Sequence, residues 1–251
     1  MKPIQKAAPL TVLVIDVGGS HVKCLAAGQP RRRKFSSGSR LTPQQMVRGV
    51  LEITADWTFD AVAIGYPGVV RHGVPVREPH HLAPGWVGFD FEAAFARPVR
   101  IINDAAMQAL GSYQGGKMLF LGLGTGLGSA LIVDDLAMAM ELGHLPRRKG
   151  RTYEDLLGKK GFKRLGKKKW RRKVRAVVRG FSAALLPDEI VVGGGQAERL
   201  KKLPARTRRG DNADAFLGGF RLWGAAMPAS SSSTAHADPG RDEKAHNPGK
   251  S

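Results

Sequence analysis

Hydrophobic residues in this chain arrive in short runs, and the period of the runs changes in a regular order. Residues 10–17, LTVLVIDV, are apolar on both faces, as a central strand covered on two sides requires. Gly18-Gly19 turns the chain back into residues 21–27, a paired antiparallel strand, and residues 31–35 supply a third strand at the edge. Thr42 followed by Pro43 predicts a capped helix start, after which Met46, Val50, Ile53 and Trp57 recur at helical spacing. Strand patterns return at 61–66, closed by Pro67-Gly68, and at 99–102, which runs into Asn103-Asp104 and a helix over 105–113. Residues 118–121 and 129–133 predict two strands around a glycine-rich turn. Trp170, Val174, Val177, Val178, Phe181 and Leu185 mark one apolar face of a long helix whose other face is Lys and Arg. Residues 189–192 form a last strand opening into Gly193-Gly194-Gly195.

A hairpin, a helix and a strand, followed by a second similar series, predict an α/β protein with two lobes around a cleft. No repeat of 20–50 residues is present. The expected division is an N-terminal lobe over 1–102 and a C-terminal lobe over 103–227. Residues 228–251 hold Ser, Thr, Pro, Gly and charges with no large apolar residue, and predict a disordered tail.

Composition narrows this picture. A hydrophobic share of 42% supports a true core and excludes a disordered basic tail protein. The one cysteine, Cys24, excludes a disulfide framework and a multi-Cys zinc site. No apolar run reaches the length of a membrane span, and the first ten residues lack the apolar stretch of a cleavable leader, so a cytoplasmic protein is expected. The net charge of +19 is concentrated: residues 147–175 hold fifteen Lys and Arg against two acids, Glu154 and Asp155.

Three glycine turns follow apolar strands: Asp16-Val-Gly18-Gly19-Ser20-His-Val-Lys23, Gly122-Leu-Gly124-Thr125-Gly126-Leu-Gly128, and Gly193-Gly194-Gly195. Backbone N–H groups can converge on a phosphate where no Cβ intervenes; each turn by itself is better explained as a tight bend, and it is the three together at strand ends that point to phosphate. The second turn is not a dinucleotide fingerprint, since position 127 is Leu and no helix follows. Nor do residues 111–118 form a Walker loop, because position 118 is Met and offers no hydroxyl. Asp16, at the end of a buried strand, suits hydrated Mg²⁺, with Ser20 adding a hydroxyl and Lys23 a positive charge; capping of the turn is the plainer alternative. Asp104 stands at a strand-to-helix junction, where it either caps the helix or accepts a proton from a substrate hydroxyl. Glu141 and His144, in E-L-G-H, suit the vicinal hydroxyls of a sugar, as would an ordinary surface loop. Gly65-Tyr-Pro67-Gly68 gives a rigid turn at another strand end. His80 and His81 are adjacent and point apart, which argues against a His-based metal site.

The segments D-V-G-G-S-H-V-K, G-Y-P-G, I-N-D-A-A, L-G-L-G-T-G-L-G-S-A-L, E-L-G-H and V-V-G-G-G run in order from residue 12 to residue 195. In this order they resemble the ROK-family sugar kinases, and most of all the polyphosphate glucokinase branch. The resemblance implies an actin-like (ribonuclease H-like) two-lobed ATPase fold. It also implies transfer of a phosphoryl group from polyphosphate or ATP, with Mg²⁺, to the 6-hydroxyl of glucose. By position, Asp16, Gly18, Gly19, Ser20 and Lys23 match the first phosphate motif, and Gly124, Thr125 and Gly126 the second. Gly193, Gly194 and Gly195 match the turn near the adenosine, and Asp104 the catalytic base. Asn103, Glu141 and His144 match sugar contacts, Gly65, Pro67 and Gly68 the sugar wall, and Glu154 in T-Y-E-D a further sugar glutamate.

Departures from the family pattern matter as well. Where most members continue E-x-G-H into a Cys-rich zinc loop, this chain reads P-R-R-K-G-R-T-Y, so no zinc is expected. His81 replaces the usual Asn, and Ser20 the usual Thr. A solvated helix face that serves solubility is the plain reading of the basic run, but the run repels itself unless an anion relieves it, and polyphosphate, nucleic acid and anionic lipid would each do so. Polyphosphate fits the branch. Only Tyr153, Phe162 and Trp170 are available for base stacking, which argues against nucleic acid, and the apolar positions serve the core rather than a lipid surface. Members of the family often form dimers, so a homodimer is among the expectations. The alternative is a catalytically idle relative that binds sugar or polyanion, against which the intact Asp16 and Asp104 argue.

Overall fold

The computed structural model describes residues 10–211 and 213–224; the tail expected at 228–251 lies outside them. The run that is apolar on both faces forms β1 (Val12–Val17), buried at every position. It pairs antiparallel with β2 (His21–Ala26), which pairs with the edge strand β3 (Arg33–Ser36). Thr42 caps α1 (Pro43–Ile53) in a full capping box with Gln45. β4 (Ala61–Tyr66) is again buried throughout and lies parallel to β1. A small hairpin of β5 (Val70–Arg71) and β6 (Val74–Pro75) and the short α2 (Phe91–Phe95) lead to β7 (Val99–Asn103), parallel to β4. The first sheet therefore runs β3-β2-β1-β4-β7.

The second half repeats the plan. After α3 (Asp104–Ser112), β8 (Lys117–Leu123), β9 (Leu127–Val133) and β10 (Leu136–Met140) form an antiparallel meander. Then follow α4 (Tyr153–Leu157), α5 (Lys159–Leu185), β11 (Glu189–Gly193), β12 (Thr207–Arg209) and α6 (Asp214–Leu222). The sheet order is β10-β9-β8-β11-β12, the same as in the first half. No helix among the described residues is long and apolar enough to cross a membrane.

Four apolar clusters hold these layers. Trp57, Trp86, Phe91 and Phe95 cover one face of the first sheet together with α1, while Phe216 and Phe220 of α6 cover the other against Val12 and Val14. In the second sheet, the face toward α5 is closed by Trp170, Val174, Val177, Val178 and Phe181, five of the six positions read from the helical spacing as buried. α3 fills the opposite face. α3 and α6 cross between the sheets, and the crossing depends on two glycines: a Cβ on Gly111 would strike the Asp214 backbone, and one on Gly218 the Met107 carbonyl. α5 changes direction at Gly166, whose φ of 70° suits glycine.

Candidate active site

β1, β4 and β7 are parallel and end at one edge of the first sheet. In register, Asp16 faces Gly65, and Tyr66 faces Asn103, so Asp16, the 65–68 turn and Asn103-Asp104 occupy neighbouring strand ends. Open α/β sheets bind ligands at such carboxyl edges. Asp16 is buried, and Lys23, directly across on β2, donates from Nζ to its Oδ2 at 2.8 Å. The first glycine turn is braced on both sides. Gly18 N–H donates to His21 O at 3.0 Å, while Ser37 donates from Oγ to Gly18 O at 2.7 Å and from its N–H to Ser20 O at 3.1 Å. Gly19 and Ser20 remain exposed, and a Cβ on Gly19 would stand 3.3 Å from that of His81.

Asn103 and Asp104 divide the work of the strand-to-helix junction. Asn103 is the N-cap: its Oδ1 accepts from Ala106 N–H at 3.1 Å, and its Nδ2 donates to Gly68 O at 3.0 Å. The side chain thereby fastens α3 to the 65–68 turn. Gly65 is required beneath it, because a Cβ there would run into Met107 and lie 3.6 Å from Asp104 Cα. Asp104 opens α3, and its Oδ1 accepts from Ala105 N–H at 2.8 Å; among the described residues nothing bonds to Oδ2. Burial pushes the carboxyl up to about 7, helped by the charge on Asp16, opposed by the Ala105 N–H, and helped again by Glu141. Two carboxylates from other elements thus act on Asp104.

In the second half, the other two glycine turns meet. β8 and β9 close on Gly124-Thr125-Gly126, where Gly124 N–H donates to Gly126 O at 3.2 Å. Gln196 N–H donates to Leu123 O at 2.9 Å, and Gly194, with φ +79°, lies so close that a Cβ would stand 2.6 Å from that same oxygen. Gly195 beside it is exposed. α5 starts on this turn as well, with Lys159 N–H donating to Thr125 O at 3.1 Å. Glu154 turns toward the turn: its Oε2 accepts from Leu127 N–H at 3.3 Å and fills the space a Cβ on Gly126 would take. Glu141 and His144 pair at 3.3 Å and are half exposed. The His144 ring stands edge-on to that of His80, with centroids 6.1 Å apart, so the loop before α2 reaches the E-L-G-H segment of the other half.

The structure therefore places Asp16, Asp104 and Glu141 within electrostatic reach of one another. It packs Gly194 and Gln196 on Leu123, the residue before the second turn, and it sets Glu154 against that turn. Sequence reasoning missed Ser37 and Gln196, which shape two of the turns. Ser37 lies in a polar stretch, S-S-G-S, that carries no signal distinguishing it from a loop, and Gln196 follows a glycine run whose partner only the fold supplies. Among the described residues no group of three or more His, Cys, Asp or Glu has metal-holding geometry. A single buried carboxylate with one oxygen taken by Lys23 fits an ion that keeps its waters and relies on substrate phosphates, which is the manner of Mg²⁺.

Residues 12–152 match the ROK family. The polyphosphate glucokinase of Mycobacterium tuberculosis (strain CDC 1551 / Oshkosh) is 29% identical over 218 residues, which is 75% of this chain and 78% of that protein. Among solved structures, the inorganic polyphosphate/ATP-glucomannokinase from Arthrobacter sp. strain KM superposes with a TM-score of 0.74 at 23% identity, over 85% of this chain and 98% of that one. A ROK family glucokinase from Streptomyces griseus, solved with glucose and AMPPNP, gives a TM-score of 0.70 at 16% identity, over 84% and 98%. The fold is the actin-like two-lobed ATPase fold of these kinases.

Proposed function

The chain belongs to the ROK family, and from that membership we propose that it transfers the terminal phosphoryl group of polyphosphate or ATP to the 6-hydroxyl of glucose. The observation that carries this reading is Asp104, a carboxyl at the cleft edge with Oδ2 open and a pKa of about 7. A base with that affinity is half ionised at neutral pH and strong enough to draw a proton from an attacking alcohol.

In the proposed reaction Asp104 Oδ2 orients the sugar 6-hydroxyl and takes its proton as the oxygen attacks the terminal phosphorus in line. The bond from phosphorus to the bridging oxygen breaks, and its electron pair leaves on the shortened polyphosphate or on ADP. The backbone N–H groups of Gly19 and Ser20 and of Thr125 and Gly126 face the phosphates, those of Gly18 and Gly124 being taken by His21 O and Gly126 O within their turns, with Lys23 adding charge. Gly193, Gly194 and Gly195 border the adenosine when ATP is the donor. Glu141 and His144 hold sugar hydroxyls, with Glu154 nearby and the Gly65, Pro67 and Gly68 wall kept in place by Asn103. Mg²⁺ would be held through water by Asp16, and when bound it neutralises phosphate charge. A coupled assay for glucose 6-phosphate with each donor tests the reading. Asp104→Asn should still bind glucose while losing about a hundredfold or more in kcat; turnover close to wild type would refute the role of this residue, and product with neither donor would refute the kinase.

A further inference from the structure

Six cations line a groove of about 480 Å³ on the outer side of the second lobe: Lys167, Lys168, Arg171, Arg175, Lys201 and Lys202. The four on α5 recur at i, i+1, i+4 and i+8, one stripe spanning about 12 Å of helix at 1.5 Å per residue. The stripe is fixed in place, because Trp170, Val174 and Val178 on the other side of α5 are buried in the core. The second wall is tied to the first: Arg171 donates from Nε to Arg199 O, and the Arg199 guanidinium lies 4.5 Å over the Phe162 ring. Among the described residues none of the six has an acidic partner at ion-pair distance.

Both walls grow out of the glycine turns already described. α5 begins with Lys159 bonded to Thr125, and the 201–202 segment follows Gly193–Gly195 by way of Gln196, which is bonded to Leu123. We propose that this groove is the track for the distal part of a long inorganic polyphosphate, whose reacting end lies at the glycine turns. The inference rests on the kinase reading above. A lining made wholly of Lys and Arg reads charge and nothing else, with no aromatic face in it for a base to stack on. Its length suits a row of phosphates rather than one. A short donor such as tripolyphosphate or ATP would end before reaching it.

The test is a quadruple variant, Lys167→Gln, Lys168→Gln, Lys201→Gln and Lys202→Gln, all at exposed positions, beside a control variant, Arg31→Gln, Arg32→Gln and Arg48→Gln, exposed on the first lobe. KM for long-chain polyphosphate should rise about tenfold or more in the groove variant at moderate salt. The slope of log KM against log salt should drop by about 3, as for four lost backbone contacts on a single strand. KM for tripolyphosphate and ATP, kcat, and all constants of the control should stay as in wild type. An equal change for long and short donors, or none, overturns the track. So does a wild-type enzyme that uses ATP but no polyphosphate of any length, a result that leaves the kinase reading standing. Calorimetric titration with long-chain polyphosphate separates the two conversely: tight binding lost in the groove variant, without product from any donor, keeps the groove and removes the kinase. If the variant loses duplex DNA while keeping its KM for long polyphosphate, the groove serves nucleic acid and the proposal fails.

Discussion

Replacing Asp104 by Asn should stabilise the protein in alkali and do far less in acid. The carboxyl is raised from 3.8 to about 7, chiefly by burial and next by the charge on Asp16. In the unfolded chain it ionises at its ordinary value, so between about pH 4 and pH 7 the native state keeps a proton that the unfolded state has lost. The unfolded state binds fewer protons there, and the contribution of this group to stability falls as pH rises, levelling off above about pH 7. At about 1.4 kcal/mol per tenfold change in proton affinity, the full cost is about 4 kcal/mol, against about 1.5 kcal/mol at pH 5. Asn cannot ionise, yet its Oδ1 can accept the same Ala105 N–H that Asp104 uses. Urea unfolding of wild type and variant at pH 5 and pH 8, with equal m-values, should therefore show the variant's advantage growing by about 2–3 kcal/mol between the two. An advantage that is the same at both pH values would refute the raised carboxyl, and one that shrinks would reverse its sign. In the proposed reaction the same ionisation should set the acid limb of kcat/KM, with about a tenth of the enzyme active one pH unit below the pKa.

Two further substitutions probe the neighbours of this group. Asp16→Asn removes the second-largest influence holding Asp104 up, so the acid limb, and the pH dependence of unfolding with it, should move to lower pH by about half a unit or more; no movement would separate the two carboxyls. Gly218→Ala drives a Cβ into the Met107 carbonyl at the α3–α6 crossing and should cost about 1–3 kcal/mol, lowering Tm by about 2–4 °C for each. Gly180→Ala, in open space within α5, should instead stabilise by about 0.5–1 kcal/mol, and thermal melts that rank the two the other way would contradict the packing.

The central strands were legible because burial on both faces leaves few polar residues in the run, Thr11 and Asp16 alone in 10–17: 61–66 was read with the bounds that β4 has, and 10–17 overshot β1 by two residues. The capped start of α1 was equally plain in Thr42-Pro43. What escaped notice lacked a period. β10, LAMAM, is a sheet edge with Leu136 and Met138 exposed, so its residues alternate in neither polarity nor burial. β5, β6 and β12 are two or three residues long, and α2 and α4 are five each, too short for a repeat to show. The glycine turns were visible individually, whereas their stacking was not, since Gly194 meets Leu123 across 71 residues of chain. Glu154 illustrates the limit most directly. Its motif suggested a sugar contact, and only the fold shows its carboxylate against Gly126 and the Leu127 N–H.

The repeated sheet order explains why the halves contribute different chemistry from the same place. In each half the first two strands form a hairpin, and the position one pair before the turn is equivalent. In the first hairpin that pair is Asp16 and Lys23; in the second it is Gly122 and Gly128. A charged pair serves the first hairpin, because Asp16 lies at the strand edge shared with Gly65 and can act on Asp104 from the side. The same side chains in the second hairpin would be obstructive. A Cβ on Gly128 would already stand 2.9 Å from that of Ala105, the residue after Asp104, and one on Gly122 would press on the Phe120 ring at 3.2 Å. Glycine at both positions lets the start of α3 come down onto β9, and that approach fixes Asp104 between the two hairpins. The duplicated plan thus supplies two equivalent turns, and the loss of side chains from one hairpin makes room for the carboxyl that Asp16 of the other perturbs.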